Sequence, residues 1–236
     1  MNILAVDTTT KSASVSVKTE NSLYIDKVEN EVTHSEKLLP LIDKVLIDAN
    51  IDISKITNFA CINGPGSFTG IRIGLATVKA LAQVRNLDIF SINSLELIAY
   101  LTFLKCNVDK ANIISIISTN NDRVFYAVYE LEKCENKIKI SSLSPIENDF
   151  IDEAVSNLDS FYKTNSGAWG IGGNCVNRFE DLLLKFDCNK FDFYPDTNDC
   201  INVMDLVYDK NNYTFNAYSL KATYARPSQA ERMKNG

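Results

Sequence analysis

The residues best suited to chemistry in this chain form a glycine-rich loop, NGPGSFTGIRIG, at positions 63–74. A loop that opens a helix presents free backbone N–H groups and a positive dipole end to an anion. The common phosphate signatures are incomplete, however. A P-loop requires a lysine after Gly70, and Thr69 stands where a dinucleotide fingerprint has its third glycine. The residues therefore favour a tight strand-to-helix turn over a phosphate site.

The helix after this loop carries small residues at close spacing. Gly70 and Gly74 fall on adjacent turns of one face of a helix predicted over 70–86. A glycine inside a helix costs roughly 1 kcal/mol relative to alanine. We therefore expect another helix to approach this face closely.

A second helix, predicted from about residue 34 to Asn50, offers a neighbour with a broad apolar stripe. Together the two helices supply a candidate interface for another subunit, made of Leu38, Leu41, Ile42, Val45, Gly70, Arg72, Gly74, Leu75 and Val78. The same stripes could instead cover the sheet of their own lobe, and periodicity alone leaves both alternatives open. Arg72 could pair with a carboxylate such as Asp43 across the two helices, or with the partner.

Composition excludes several classes of protein. The 236 residues are 45% hydrophobic, a share that is ordinary for a globular protein. Their net charge of −6 argues against autonomous binding of nucleic acid. No apolar run approaches the ~18 residues that cross a bilayer, and no targeting segment is recognisable, so we expect a cytoplasmic protein. The six cysteines never form a C-x-x-C pair, which predicts reduced thiols rather than a zinc site.

The order of predicted elements repeats along the chain. The first half has strands at 2–6, 13–17, 22–28, 59–62 and 88–92. Its first helix begins with a Thr33–Glu36 capping box and ends at Asn50. A second helix covers 70–86, and a third is capped by Ser94 and reaches Lys105. The second half has strands at 113–118, 124–130, 137–143 and 168–171, with helices at 150–158 and 175–186.

Three strands, a helix, a strand and a helix thus appear twice, an order typical of two ribonuclease-H-like lobes. We predict an α/β fold with lobes at 1–105 and 106–236, the last segment returning towards the first lobe.

Four stretches resemble the TsaB family of tRNA threonylcarbamoyladenosine biosynthesis. They are AVDTTTKSASVSV at 5–17, HSEKLLPLID at 34–43, GPGSFTGIRIGLATVKALA at 64–82 and YARPSQAER at 224–232. The resemblance covers the whole chain and is densest to about residue 95 and near the end. Many family members carry Asp-Ala-Arg before a strand of the second lobe, where this chain has Asn120-Asn121-Asp122-Arg123.

The resemblance implies the two-lobed fold of the actin, hexokinase and Hsp70 superfamily without its catalytic machinery. It also implies dimerisation through the helices of the first lobe, either with the paralogue TsaD or with a second copy of the chain. TsaD carries the metal and the nucleotide and transfers the threonylcarbamoyl group to an adenosine beside the tRNA anticodon. The ATPase TsaE would join through this complex, tRNA would be contacted only indirectly, and no cofactor is expected.

The histidine count supports the absence of TsaD-like metal chemistry. TsaD resembles enzymes that hold a metal with an H-x-x-x-H pair, but His34 is the single histidine here and Leu38 stands four residues later. His34 is best interpreted as a capping or surface residue. No G-x-S-x-G elbow is present to expose a serine, which disfavours a hydrolase.

A nucleotide site would be vestigial at most. Its candidate residues are Asp7, Thr8, Gly172 and Gly173. Asp7 could hold Mg²⁺ through water, or it could simply close the turn between the first two strands. The second phosphate loop expected of an ATPase is missing, since residues 114–123 contain no glycine. An active ATPase, a glycoprotease-like peptidase and a homodimer with a separate role remain the alternatives to a non-catalytic scaffold.

Overall fold

The computed structural model describes residues 1–29, 34–119 and 122–225. Thr33 of the predicted capping box, the side chain of His34, Asn120, Asn121 and the tail from Arg226 lie outside the described residues.

The first sheet combines an antiparallel meander with parallel strands. Its strands are β1 (Ile3–Asp7), β2 (Ser12–Lys18), β3 (Leu23–Glu29), β4 (Asn58–Ile62) and β5 (Ile89–Ile92), and its helices are α1 (His34–Asp48), α2 (Phe68–Arg85) and α3 (Ser94–Cys106). The meander pairs β1, β2 and β3 antiparallel, whereas β4 and β5 run parallel to β1. The spatial order is therefore 3-2-1-4-5.

The second sheet repeats this arrangement. Its elements are β6 (Lys110–Ser118), β7 (Arg123–Cys134), β8 (Lys137–Ser142), β9 (Glu147–Phe150), α4 (Ile151–Thr164), β10 (Trp169–Gly173), α5 (Glu180–Leu183), β11 (Asn189–Asp192) and α6 (Thr197–Met204). Strands β8, β7, β6, β10 and β11 again follow the order 3-2-1-4-5, with β9 added beside β7. The two ribonuclease-H-like lobes are confirmed by this repeat.

The chain returns to the first sheet at its end. A short strand, β12 (Thr214–Phe215), pairs antiparallel with β5, after a 3-10 turn at Lys210–Tyr213. The division of the chain into lobes at residues 105 and 106 stays a prediction.

Alternation along the strands produces three apolar layers. Leu4 and Val6 of β1 point to α1 and α2, whereas Ile3 and Ala5 point the other way, into a layer shared by both sheets. Helices α3 and α6 fill this middle layer, and α4 and α5 cover the outer face of the second sheet. Because β1 is buried on both faces, it reads as a continuous apolar run. Among the described residues, no helix is both long and apolar enough to cross a membrane.

Two predictions about helix ends are wrong. The cap of α3 is Asn93, whose side chain accepts a 2.8 Å hydrogen bond from the Glu96 N–H, because the Ser94 hydroxyl instead donates to the Pro65 carbonyl. The helix predicted over 175–186 is α-helical only in α5. Residues 174–179 form turns, held in part by the Asn177 N–H, which donates a 2.7 Å hydrogen bond to Asp192.

Candidate functional site

The glycine loop is a tight turn between β4 and α2. Gly64 has a φ of 100°, a conformation that glycine adopts more readily than other residues. The Ser94 N–H donates a 2.7 Å hydrogen bond to the Gly64 carbonyl, which ties the loop to the start of α3. The Ser67 hydroxyl caps α2 by accepting from the Gly70 N–H. The prediction of a tight strand-to-helix turn is confirmed.

The glycines of the loop and of α2 face the turn between β1 and β2. A β-carbon at Gly66 would collide with the Thr9 carbonyl, one at Gly70 with the Thr8 carbonyl, and one at Gly74 with the Thr8 hydroxyl. The prediction that Gly70 and Gly74 admit another helix is therefore wrong, because Thr8 already fills the space beside them.

The predicted apolar interface residues lie beneath the two helices. The side chains in question are at most 7% exposed and belong to the core that α1 and α2 form with the first sheet: Leu38, Leu41, Ile42, Val45, Leu75 and Val78. These stripes cover the sheet of their own lobe, which was the alternative left open by periodicity. A partner can therefore meet these helices only through other side chains.

The outer face of α2 carries an exposed row of residues at a spacing of four. This α2 stripe consists of Phe68, Arg72, Ala76, Ala80 and Val84, all solvent-exposed. Phe68 is 39% and Val84 86% exposed, so the stripe has a large apolar side chain at each end. Ala76 and Ala80 leave the middle of the stripe flat, so that another backbone can approach it.

Arg72 lies near one end of the stripe and contacts two aromatic side chains there. Its guanidinium carbon lies 3.8 Å from the centre of the Phe68 ring, and its Nε donates a 3.2 Å hydrogen bond to the Tyr224 hydroxyl. The Phe68 and Tyr224 rings are themselves 5.1 Å apart. Within the described part of the chain Arg72 forms no ion pair, with Asp43 or any other residue. The C-terminal segment runs along α2, where Lys79 and Gln83 donate to Leu220 and Tyr218.

A cleft of ≈ 1190 Å³ opens between the two sheets, with Asp7 on its wall. One oxygen of Asp7 accepts hydrogen bonds from the Thr9 N–H at 2.8 Å and the Thr9 hydroxyl at 2.7 Å. Burial raises the pKa of the Asp7 carboxyl to about 6, helped by the charge of Asp196 and opposed by the bonds from Thr9. Asp7 therefore closes the turn after β1, one of the two roles left open by the sequence.

Hydrogen bonds between the lobes border this cleft. The hydroxyl oxygens of Thr9 and Tyr194 are 2.9 Å apart. Because the single hydroxyl proton of Thr9 is donated to Asp7, Tyr194 is the donor. Ser14 and Ser16 of β2 both contact the hydroxyl of Thr197, at the start of α6.

Of the four predicted nucleotide residues, only Asp7 lines the cleft. Thr8 is buried, and its hydroxyl donates to the Gly70 carbonyl. A β-carbon at Gly172 would meet Thr102 of α3, and one at Gly173 would meet the Ile116 carbonyl, so these glycines serve the packing of β10.

Sequence reasoning missed most residues of the cleft, among them Tyr194, Asp196 and Arg178. Arg178 forms an ion pair with Asp122, which precedes β7. Only Asp196 had a local signal, since it forms a capping box with Asp199 that starts α6. Nowhere in the described ranges do three His, Cys, Asp or Glu side chains come together as metal ligands would.

Comparison with known proteins agrees with this architecture. A family model described as TsaD, tRNA N6-adenosine threonylcarbamoyltransferase, matches residues 29–209. The tRNA threonylcarbamoyladenosine biosynthesis protein TsaB of Buchnera aphidicola subsp. Schizaphis graminum is 31% identical over 149 residues, which are 60% of this chain and 70% of that protein. The chain belongs to the TsaD family, and within it to TsaB.

A second TsaB protein and a solved structure are also similar to this chain. The TsaB protein of Escherichia coli K12 is 26% identical over 133 residues, 56% of this chain and 57% of that protein. A solved structure described as an uncharacterized protein with similarity to peptidase YEAZ from Pseudomonas aeruginosa superposes with a TM-score of 0.73 at 18% identity. It covers 95% of this chain and 99% of that chain, and shares the fold. The residues matched by the TsaD family model include the glycine loop, α2 and Asp196, but not Asp7.

Proposed function

We propose that this protein is a non-catalytic subunit that takes part, in the cytoplasm, in the formation of threonylcarbamoyladenosine in tRNA. Its partner would be a TsaD-type transferase, which supplies the metal and the nucleotide. The names of the TsaB relatives support the pathway, and the surface of α2 supports a role in binding another protein.

The observation that carries the proposal is the α2 stripe. Five exposed residues at a spacing of four occupy one face of an 18-residue helix. The alanines in the middle allow two helix axes to approach to the 8–10 Å typical of packed helices. At one end Arg72 is already oriented by Phe68 and Tyr224, and arginine and aromatic side chains are the residues that most often dominate binding energy. Exposed apolar rows with such an anchor are typical of protein interfaces.

The TsaD-type subunit is proposed to bind the α2 stripe. A second copy of this chain would compete with it for the same surface. Both would use the same face, since the two proteins share the family fold. TsaE would join the resulting complex, and tRNA would be held by the partners, because this chain has a net charge of −6.

The arrangement around Asp7 supports a role without catalysis. The carboxylate oxygen that faces the turn is committed to Thr9, and the neighbouring Thr8 hydroxyl to Gly70. An ATPase is the second candidate, since Asp7 and Asp196 line one cleft. The variant Asp7→Asn, which keeps an acceptor for Thr9, distinguishes the two.

The test is reconstitution of tRNA modification from a purified TsaD-type transferase, TsaE and the enzyme that forms threonylcarbamoyl-adenylate. Modified tRNA is measured with this chain, without it, and with Asp7→Asn. We expect product only when the chain is present, and an equal yield with the variant. Loss of product with a folded, partner-binding Asp7→Asn chain would favour the ATPase. Equal product without the chain would contradict the proposal.

A further inference from the structure

A second cavity, of ≈ 550 Å³, lies at the junction of the lobes and is separate from the Asp7 cleft. Asn63 follows β4 and Asn93 follows β5, and both residues line it. Ligands of open α/β sheets bind outside the carboxyl ends of parallel strands, which is where these two residues stand. The opposite wall is formed by β8 and by the C-terminal segment, including Tyr213.

Glu96 and three buried tyrosines line the cavity together. Glu96 lies in the first turn of α3, and Tyr100 follows it one turn later. Tyr129 of β7 and Tyr213 of the C-terminal segment complete the cluster, and the three tyrosines are at most 8% exposed. Burial raises the pKa values of Tyr129 and Tyr213, and the charge of Glu96 contributes to both shifts.

Two other charged residues line the cavity, Asp209 of the C-terminal segment and Lys139 of β8, and both are exposed. The remaining titratable groups of the lining are the uncharged hydroxyls of Tyr100 on the same helix, of Tyr129 on β7, and of Tyr208 and Tyr213 in the C-terminal segment. No described lysine or arginine forms an ion pair with Glu96. Burial raises the pKa of Glu96 to about 7, although hydrogen bonds with Asn93 oppose this. A carboxyl group without a basic partner, beside three aromatic rings, is a site that a cation would complete.

We propose that this cavity binds a small organic cation, with a primary ammonium group held between the Glu96 carboxylate and the tyrosine oxygens. The ammonium group would donate charge-assisted hydrogen bonds to the carboxylate. The carbon chain of the ligand would lie against the faces of the tyrosine rings, where cations and apolar groups are both favourable. An anionic ligand is disfavoured, because the Glu96 carboxylate would repel it.

The probe for this site is n-butylammonium, and n-butanol is its neutral isostere. Each is titrated at pH 8 into the full chain carrying ¹³C-labelled tyrosine rings, and ring signals are followed by NMR, with assignments from single Tyr→Phe variants. We expect saturable shifts at Tyr100, Tyr129 and Tyr213 with the ammonium and at least about tenfold weaker binding of the alcohol. Equal affinity for the two compounds, or no saturable shift at these tyrosines, would overturn the proposal.

Two further measurements test whether the Glu96 carboxylate itself binds the ammonium group. Glu96→Gln should weaken binding of n-butylammonium by at least about tenfold. Glu153→Gln, which changes an exposed carboxylate on α4, should leave it unchanged. In the unaltered chain, the affinity should fall as the pH drops from 8 to 6, because a proton then neutralises Glu96. Binding independent of pH, or unchanged in a folded Glu96→Gln chain, would contradict the proposal. The pH series needs no variant, so it decides the matter even if Glu96→Gln does not fold.

Discussion

The hydroxyl of Thr8 donates a 2.7 Å hydrogen bond to the carbonyl oxygen of Gly70, and the carbonyl of Thr8 fills the space that a β-carbon at residue 70 would need. The glycine motif is thus a contact within one lobe, between the β1–β2 turn and α2. It fixes how α2 sits on the sheet, and therefore which face of α2 is presented to solvent.

This contact predicts that Gly70→Ala destabilises the fold. Alanine favours a helix by roughly 1 kcal/mol over glycine, but its β-carbon would collide with backbone that must then move. Overpacking of this kind costs about 1–3 kcal/mol, so we expect a lower free energy of unfolding in urea. Thr69→Ala, on the exposed side of the same turn, should be neutral or slightly stabilising. Equal stability of the two variants would contradict the close contact.

The buried carboxyl of Asp7 predicts a specific pH dependence of stability. Its pKa is raised from 3.8 to about 6 in the folded chain, so the native state keeps its proton over a range in which the unfolded state has lost it. Stability therefore falls as the pH rises from about 4 to 6. Relative to Asp7→Asn, the wild type should lose up to about 3 kcal/mol across this range, at about 1.4 kcal/mol per pKa unit. Urea unfolding of both proteins at pH 4.5 and 7 checks this, and a constant difference would refute it.

The hydrogen bond from Tyr194 to Thr9 predicts a modest link between the lobes. Tyr194→Phe keeps the ring and removes the donor, which should cost about 0.5–1.5 kcal/mol of unfolding free energy. Tyr208→Phe is the matched control, because Tyr208 is 60% exposed. If the two variants unfold at the same urea concentration, the bond contributes nothing measurable.

The sequence was most informative about the repeated order of strands. The apolar run in 2–6 predicted β1 well, because it follows from burial on both faces of a sheet. The alternation in 13–17 predicted β2 as a strand, although its serines are buried as well as its apolar residues. The strands β9 and β11 were not predicted. Each has only 4 residues, and their pairing with distant strands carries no local signal.

The neighbour against which a helix face packs was harder to predict than the order of the strands. The spacing of Gly70 and Gly74 correctly indicated a close approach, but it did not identify the neighbour as Thr8, more than 60 residues earlier. The cavity at Glu96 had no signal at all, because its walls come from segments that only the fold brings together. Val45 and Val78 illustrate the same limit, since both fit an interface by periodicity and both are buried.

The orientation of Arg72 predicts a role in association rather than in stability. Arg72→Ala removes the contacts with Phe68 and Tyr224 on an exposed face, so the free energy of unfolding should change by less than about 1 kcal/mol. Association with the TsaD-type subunit should weaken by about tenfold or more if Arg72 anchors the interface. Arg72→Lys should restore this only in part, because lysine lacks the planar group that stacks on Phe68. Calorimetric titration of the three proteins with the subunit measures the effect, and unchanged affinity for Arg72→Ala would remove Arg72 from the interface.

The most direct test of the proposed scaffold role is the affinity of Ala80→Glu for the TsaD-type subunit. Glutamate is a good helix former, so the fold should be kept, while a charge is placed in the middle of the α2 stripe. Ser160→Glu, on the exposed side of α4, makes the matched change on the other lobe. We expect Ala80→Glu to lose at least about 2 kcal/mol of binding free energy, a factor of about 30, and Ser160→Glu to bind as the wild type does. Wild-type affinity of a folded Ala80→Glu chain would contradict the assignment of α2 as the docking surface.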